Sequence, residues 1–465
     1  MLRINLFACI IFLYLLFPLR SAFGCSAFFY TEQVLLFGRN LDWYSGEGYI
    51  IKNNRGIEKY SYSLGNAVPA HWVSKYGSVT FNQIGKEQPY GGINEAGLVA
   101  EQLWLHGTTY KDNHNHTVSE LEWVQYQLDN YATVEEVAAH IHILTIKPVK
   151  ATVHYFIADK TGNALVIDFI GGQAFLQFKK GNHQVLTNST YESSCMYYEN
   201  NKSSFSKSSR SSEDRFCQVS NAVYANQVQN ANAAFSVLQS SAENKPNYKT
   251  YWSIVYDLQL MKVYYQTFGD STTRSFDLKD FDFSSSSKTT GCNIQQNKFL
   301  QTEYTYPINR SLLEGSLKAM NIHLDIELAA THQMNPSKHV VDTLFQNNYF
   351  TLYTIFKLKN SGGNLFYTIA SGSESFYTRR GGVSTMLFAD STYVYSASYA
   401  LKKGEYALAS FHDENGNKKL DGGLFGIPKE PFGFSRNKKR IFGLPPKYEK
   451  AVFYLQSDTT IIVRL

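Results

Sequence analysis

A leader-like stretch runs straight into a cysteine, and the residues behind that cysteine are already strand-like. Arg3 gives a positively charged start, Leu6 to Leu16 is apolar apart from Tyr14, and Ala22-Phe23-Gly24 fits a small-x-small cleavage site. Cleavage there makes Cys25 the first residue of the mature chain, ahead of the apolar run Ser26-Ala27-Phe28-Phe29-Tyr30. The fold must then hold a thiol and a free α-amine at the start of its first strand. Such a residue carries a nucleophile and a base together, because an α-amine titrates near about 7.7–8.0 and reaches its own sulfur. A lipoprotein signal also leaves a cysteine first, but it favours an aliphatic residue three before and a small one two before, where this chain has Ala22 and Phe23. A buried thiol or half of a disulfide is the structural alternative.

The 465 residues exceed one ordinary core and predict two domains behind the leader. No second apolar run is long enough to span a membrane as a helix, so an exported protein, periplasmic or secreted, is expected. The 33 Tyr and 32 Phe suit strand-rich domains. The formal charge of +5 falls to +3 once Arg3 and Arg20 leave with the leader, and without a dense basic stripe this argues against nucleic acid. Four cysteines remain after cleavage: Cys25, Cys195, Cys217 and Cys292. In an oxidising compartment, with Cys25 free, Cys195 and Cys217 are the natural pair, bracketing a Ser- and Lys-rich loop from Asn200 to Ser212.

Along the chain, a polar turn at Thr31 to Gln33 and the run Val34 to Gly38 complete an opening hairpin. Further strands are predicted at Gly77 to Phe81, Gly97 to Leu103, Thr152 to Ala158, Ala164 to Phe169 and His183 to Leu186. Between them, Ser119 with Glu122 and Thr133 with Glu136 form capping boxes that open two helices. Strands, helices and strands again predict a layered α+β domain. Ser203 to Ser212 and Ser284 to Ser287 read as surface loops, and about Arg310 to Leu344 as a helical or irregular connection. From Phe350 six short strands separated by turn signals predict an all-β sandwich.

Gly38-Arg39-Asn40-Leu41-Asp42-Trp43 is placed where the second hairpin strand ends, so that Arg39 and Asp42 return to the chain terminus. A guanidinium stabilises a thiolate and a carboxylate holds an α-amine. Alone, the motif is better described as a surface turn with an Arg/Asp pair. Together with the Cys25 opening, Ser74 to Val79, Gly92-Ile93-Asn94-Glu95-Ala96-Gly97-Leu98, Leu186-Thr187-Asn188 and Asp214-Arg215-Phe216, it resembles the choloylglycine hydrolase family, the bile salt hydrolases and penicillin V acylases. The resemblance runs from Cys25 to about Phe283 and implies a four-layer αββα N-terminal nucleophile hydrolase domain.

It further implies Cys25 as nucleophile with its amine as base, Arg39 beside the thiolate and Asp42 on the amine. The Asn94 main-chain amide and the Asn188 side chain would hold the oxyanion, and Arg215 would shape the site. Trp43 and Trp104 resemble the aromatic pair with which some penicillin V acylases hold a phenoxyacyl group, core packing being the alternative. The reaction needs neither metal nor organic cofactor. The stretch from Asn188 to Arg215 lacks the long assembly loop of many bile salt hydrolases, which leaves a homo-oligomer open.

Gly404 to Ala407, His412 to Asp421 and Gly426 to Ser435 resemble a bacterial secreted domain of unknown function, with a transthyretin-like sandwich fold implied. There Asp413, Asn415, Asn417 and Asp421 alternate like a Ca²⁺ loop, although Lys418, Lys419 and the missing twelfth-position Glu favour a hydrogen-bonded turn. The expected organisation is a signal peptide at 1–24, the hydrolase-like domain at 25–300, a connection at 301–345 and the β-sandwich at 346–465. The expected activity is hydrolysis of a small-molecule acyl amide of the conjugated bile salt or penicillin V type through a thioester. An N-acyl homoserine lactone or other lipid amide on the same site, or a non-catalytic surface-binding protein using the sandwich, are the alternatives.

Overall fold

A computed structural model of the protein describes residues 24–62, 68–111, 116–148, 151–226, 228–245, 248–320, 326–338, 349–360, 362–378, 383–388, 393–417, 419–422, 428–438 and 445–465. Of the expected signal peptide only Gly24 falls within them.

Cys25 leads into the strand Ser26–Tyr30, every residue of which is buried. It pairs antiparallel with Leu36–Trp43, setting Ala27 opposite Arg39 and Ser26 opposite Asn40. The expectation that the strand ends before Arg39 is therefore corrected: Arg39 and Asp42 lie inside it. Gly38 allows this hairpin to close, because a Cβ there would run into the Phe28 ring.

These two strands belong to a seven-stranded sheet whose main path runs His183–Leu186, Ser26–Tyr30, Leu36–Trp43, Tyr248–Asp257, Lys262–Thr267, Asp270–Asp277. A nine-stranded sheet runs from Gln173–Phe178 through Ala164–Ile170, Val153–Asp159, Leu98–Trp104, Pro89–Asn94, Ser78–Asn82, Tyr49–Asn53 and Thr290–Asn293 to Thr302–Glu303. Side chains alternate between the faces of each strand. Phe29, Phe37 and Trp252 of the first sheet thus meet Phe81, Ile93 and Phe156 of the second in a shared core.

The helices Glu120–Asn130 and Val134–Ala139 cover the outer face of the nine-stranded sheet, where Trp123 stacks on Tyr155 at 4.0 Å. Both open on the expected capping boxes. Ser212–Asn226 and Ala231–Ser240 cover the other sheet, setting Phe216, Val219 and Val237 against Phe28, Leu36 and Val255. Each such buried side chain contributes roughly 1.5–3 kcal/mol, and the layers run helix, sheet, sheet, helix.

The connection after residue 300 is not a spacer. Thr302–Glu303 extends the nine-stranded sheet, and the helices Tyr306–Met320 and Ile326–Met334 pack Leu313, Leu317 and Ala330 against Tyr62 and Ile84. His332 lies with Nε2 2.8 Å from the Tyr60 carbonyl, while Gln333 donates to the Ile84 carbonyl at 2.7 Å.

In the C-terminal part, Tyr349–Lys357 pairs with Val394–Lys402 and, in parallel, with Thr459–Arg464. A second sheet joins Val383–Phe388, Asn364–Ala370, Gly404–Asp413 and Phe432–Phe434, with Phe453–Leu455 on Gly404–Asp413. Leu352, Phe356, Leu365 and Leu408 share one core across the two sheets. This part meets the first domain where Lys147 pairs with Asp458 at 2.7 Å and where the His106 and Tyr395 rings lie 6.4 Å apart.

The expected bridge between Cys195 and Cys217 is not formed: all four described cysteines are free thiols. Their helices are neighbours, but Cys217 is fully buried while Cys195 is half-buried. In the Ca²⁺-like loop, Asn415 and Asn417 donate to Asp421 at 2.6 and 3.0 Å, and the Asn417 amide donates to Asp413 at 3.1 Å, so the loop forms a hydrogen-bonded turn. Among the described residues no three His, Cys, Asp or Glu side chains gather in metal-binding range, and no helix is long and apolar enough to cross a membrane.

Candidate active site

Strand pairing assembles the site. Cys25 continues the strand whose next residue faces Asn40, which sets its thiol beside the Asp42 carbonyl, with Sγ to O at 3.9 Å. Burial pushes the thiol up, Arg39 pulls it down and the Asp42 charge raises it again.

Arg39 is completely buried. It donates to the carbonyls of Gln102 at 3.0 Å and Tyr90 at 3.4 Å, and its Nη1 lies 2.7 Å from Glu101 Oε2. Burial works against its charge, but Glu101 and Cys25 outweigh that and hold the guanidinium protonated. Tyr256 closes this network from behind, donating to Glu101 Oε1 at 2.5 Å.

Asp42 Oδ1 accepts from Thr250 Oγ1 at 2.5 Å, whereas its buried Oδ2 has no hydrogen-bond partner among the described residues. Burial raises this carboxyl to about 7 against the pull of Arg215. The peptide ahead of Cys25 covers the orphan oxygen: a Cβ on Gly24 would lie 3.1 Å from Asp42 Oδ2 and 3.0 Å from Arg215 Cζ. The Gly24 amide donates to the Tyr248 hydroxyl at 2.6 Å.

From the helix Ser212–Asn226, Arg215 donates to the Cys25 carbonyl at 2.6 Å, to Ser26 Oγ at 3.0 Å and to Asn188 Oδ1 at 2.9 Å. Asn188 in turn donates from Nδ2 to the Trp104 carbonyl at 2.7 Å. The Trp43 and Trp104 rings face each other at 6.2 Å, with Tyr90 6.2 Å from Trp43.

Thus Cys25, Arg39, Asp42, Asn188, Arg215, Trp43 and Trp104 come together. Asn94 does not, and its assignment as an oxyanion donor is corrected. It lies at the far end of Pro89–Asn94, four residues past Tyr90 and so about 13 Å away along the strand. There its side chain donates to the Leu128 and Tyr131 carbonyls at 2.8 and 2.7 Å and accepts from the Leu98 amide at 2.9 Å. It fastens a hairpin turn to a helix end. Sequence reasoning missed Glu101, Thr250 and Tyr248. Glu101 carried a signal, being a charge inside the apolar run Leu98 to Leu103.

Cys25, Arg39, Asp42, Glu101, Asn188 and Arg215 of this cluster fall within a stretch that matches a known family. Residues 25–219 match the linear amide C-N hydrolases of the choloylglycine hydrolase family. Over 156 residues the chain is 33% identical to a penicillin V acylase of Pectobacterium atrosepticum, covering 30% of this chain and 39% of that protein. The match thus spans well under half of the relative's length. The fold is similar to that of penicillin V acylase from Agrobacterium tumefaciens, with a TM-score of 0.52 at 23% identity over 61% of this chain and 98% of the other. A variant of conjugated bile acid hydrolase from Clostridium perfringens matches with a TM-score of 0.50 at 16% identity, over 60% of this chain and all of the other. Residues 354–462 match a separate family described as an uncharacterized protein conserved in bacteria, DUF2141.

Proposed function

We propose that the domain starting at Cys25 is a cysteine amidase that cleaves a linear carbon–nitrogen amide bond by acyl transfer, once removal of residues 1–24 on export frees the Cys25 amine. The observation that carries this reading is the unpartnered Asp42 Oδ2 next to Gly24 and Arg215, an acceptor where a freed amine would stand. An ammonium there draws the Asp42 carboxyl back down, because an adjacent opposite charge favours the ionised form.

The Cys25 thiol passes its proton to its own amine and Sγ attacks the amide carbon, while Arg39 steadies the thiolate. The oxyanion is met by Asn188, whose Nδ2 has two hydrogens and gives only one to Trp104. The Trp104 amide is the second donor in place of Asn94, since a strand residue turns its N–H to the same side as its C=O. Each such donor lowers the barrier by about 3–4 kcal/mol. The ammonium protonates the departing nitrogen, the C–N bond breaks, and water activated by the amine hydrolyses the thioester to acid and free thiol.

The aromatic group of Trp43, Trp104 and Tyr90 favours an aryl-bearing acyl group of the penicillin V kind ahead of a conjugated bile salt or an N-acyl homoserine lactone. The C-terminal part is read as a transthyretin-like β-sandwich. The test is amine release by purified protein starting at Cys25, beside Cys25→Ala, across those three substrate classes. Turnover that vanishes in the variant supports the reading, whereas silence on every class with a verified free N-terminus overturns it.

A further inference from the structure

A second buried polar pair stands behind the oxyanion side of the site. His154 and Asp168 occupy neighbouring strands, Val153–Asp159 and Ala164–Ile170, whose other residues are mostly apolar. The exposure of His154 is 0% and that of Asp168 is 3%. His154 Nδ1 lies 2.8 Å from Asp168 Oδ1, and Nε2 lies 2.7 Å from the main-chain oxygen of Thr187. Both ring nitrogens therefore face oxygen acceptors. Nε2 donates to the Thr187 oxygen and Nδ1 pairs with the Asp168 carboxyl group, so the ring bridges the strand to the segment with neither nitrogen left over.

The partners of this pair are the two ends of one short segment. Thr187 takes the His154 bond, and Tyr191, which opens the helix Tyr191–Asn201, gives its amide to Asp168 Oδ2 at 2.8 Å. Between these anchors stands Asn188. Its own amide is held by Ser212 Oγ at 2.8 Å, and its side chain is held between Arg215 and Trp104. The lateral contacts orient the Asn188 side chain, whereas His154 and Asp168 fix the height of the whole segment above the nine-stranded sheet.

We propose that His154 and Asp168 are positioning residues for acyl transfer, clamping residues 187–191 so that the Asn188 amide meets the oxyanion formed on attack by Cys25. Neither touches substrate. The inference rests on the amidase reading above and adds to it two residues that the nucleophile's own contacts do not include. Its physical content is that oxyanion stabilisation requires a donor fixed before the reaction, and that a displacement of about 1 Å costs on the order of a hundredfold in rate.

The test compares wild type with His154→Phe, which keeps a ring of similar volume without a donor, and with His154→Gln, which restores one N–H. All are made as the full chain processed to Cys25. Three quantities are read: kcat and KM on an amide that wild type turns over, the alkylation rate of Cys25 by iodoacetamide, and the thermal unfolding midpoint. Alkylation forms no oxyanion and so reports the thiol alone. In His154→Phe, kcat falls about tenfold to a hundredfold while KM and the alkylation rate stay within about twofold, and His154→Gln recovers part of kcat. Full kcat in His154→Phe, or alkylation slowed in step with kcat, overturns the inference and leaves the amidase reading standing. Wild type silent on every amide overturns both. Should His154→Phe not fold, Asp168→Ala carries the same comparison, since it removes the partners of both the His154 ring and the Tyr191 amide; lowered kcat with unchanged alkylation supports the clamp, and full kcat overturns it.

Discussion

Arg215 donates to the main-chain oxygen of Cys25 at 2.6 Å, so the start of the first strand is held by a helix that begins at Ser212. A second nitrogen of the same guanidinium holds the Asn188 side chain at 2.9 Å. Lysine cannot present this planar fork. Arg215→Lys is expected to lower kcat about tenfold to a hundredfold, with slowed thioester formation in single-turnover measurements and a near-normal KM.

A mature chain that retains one residue ahead of Cys25 loses the basic amine and keeps Asp42 Oδ2 covered. Losing general base catalysis costs about 10²–10⁴-fold. Protein made with Gly24 still attached, checked by intact mass, is expected to show that loss, with activity returning once the residue is trimmed.

Gly91 lies against Glu101, and a Cβ there would overlap the Glu101 carboxyl group. Gly91→Ala therefore displaces Glu101 and, through it, Arg39. Overpacking of this kind costs about 1–3 kcal/mol, to be read from urea unfolding. Alkylation of Cys25 should slow as well, because the thiolate loses its guanidinium.

Trp43→Leu opens the aromatic group beside Trp104. KM for an aryl acyl amide is expected to rise about tenfold, the equivalent of about 1.4 kcal/mol, while an aliphatic acyl amide of similar length is little affected. Equal effects on both would assign Trp43 to packing.

His332 gives the fold a dependence on acid. Burial lowers its pKa to about 4, against the raising pull of the Tyr60 carbonyl, and its Nδ1 has no partner among the described residues. The folded state thus holds a neutral ring that the unfolded chain would protonate near 6.5. The contribution to stability is complete above about pH 6.5 and is lost as the pH falls through about 4, by an amount on the order of 1–3 kcal/mol. His332→Gln should flatten the difference between chemical unfolding at pH 7 and pH 4.5.

Much of this was legible in the sequence, for reasons that differ by element. The capping boxes at Ser119 and Thr133 carry their own local hydrogen bonds, so they read correctly without tertiary context. The strands at 98–104 and 153–159 are buried apolar runs and read within one residue of their observed bounds. Arg39 and Asp42 were found but were placed beyond the strand, because polar residues in a buried strand look like a turn until their partners, Glu101 and Thr250, are known from pairing. Asn94 failed for the opposite reason: it follows two glycines in a motif, yet only the register shows which end of its strand faces Cys25. The helices at 191–201 and 212–226 went unread, the first for its weakly patterned face and the second although Phe216, Val219 and Val223 stand at helical spacing, and with them the separate burial of Cys195 and Cys217.

Gly24 fills the place beside Asp42 and Arg215 through a covalent bond rather than as a dissociable inhibitor. Hydrolysis of that bond is irreversible in practice. On the proposed function, a cut between residues 24 and 25 would act as a one-way trigger: each molecule would be armed once, could not be disarmed by restoring earlier conditions, and would stay inert for as long as it waited.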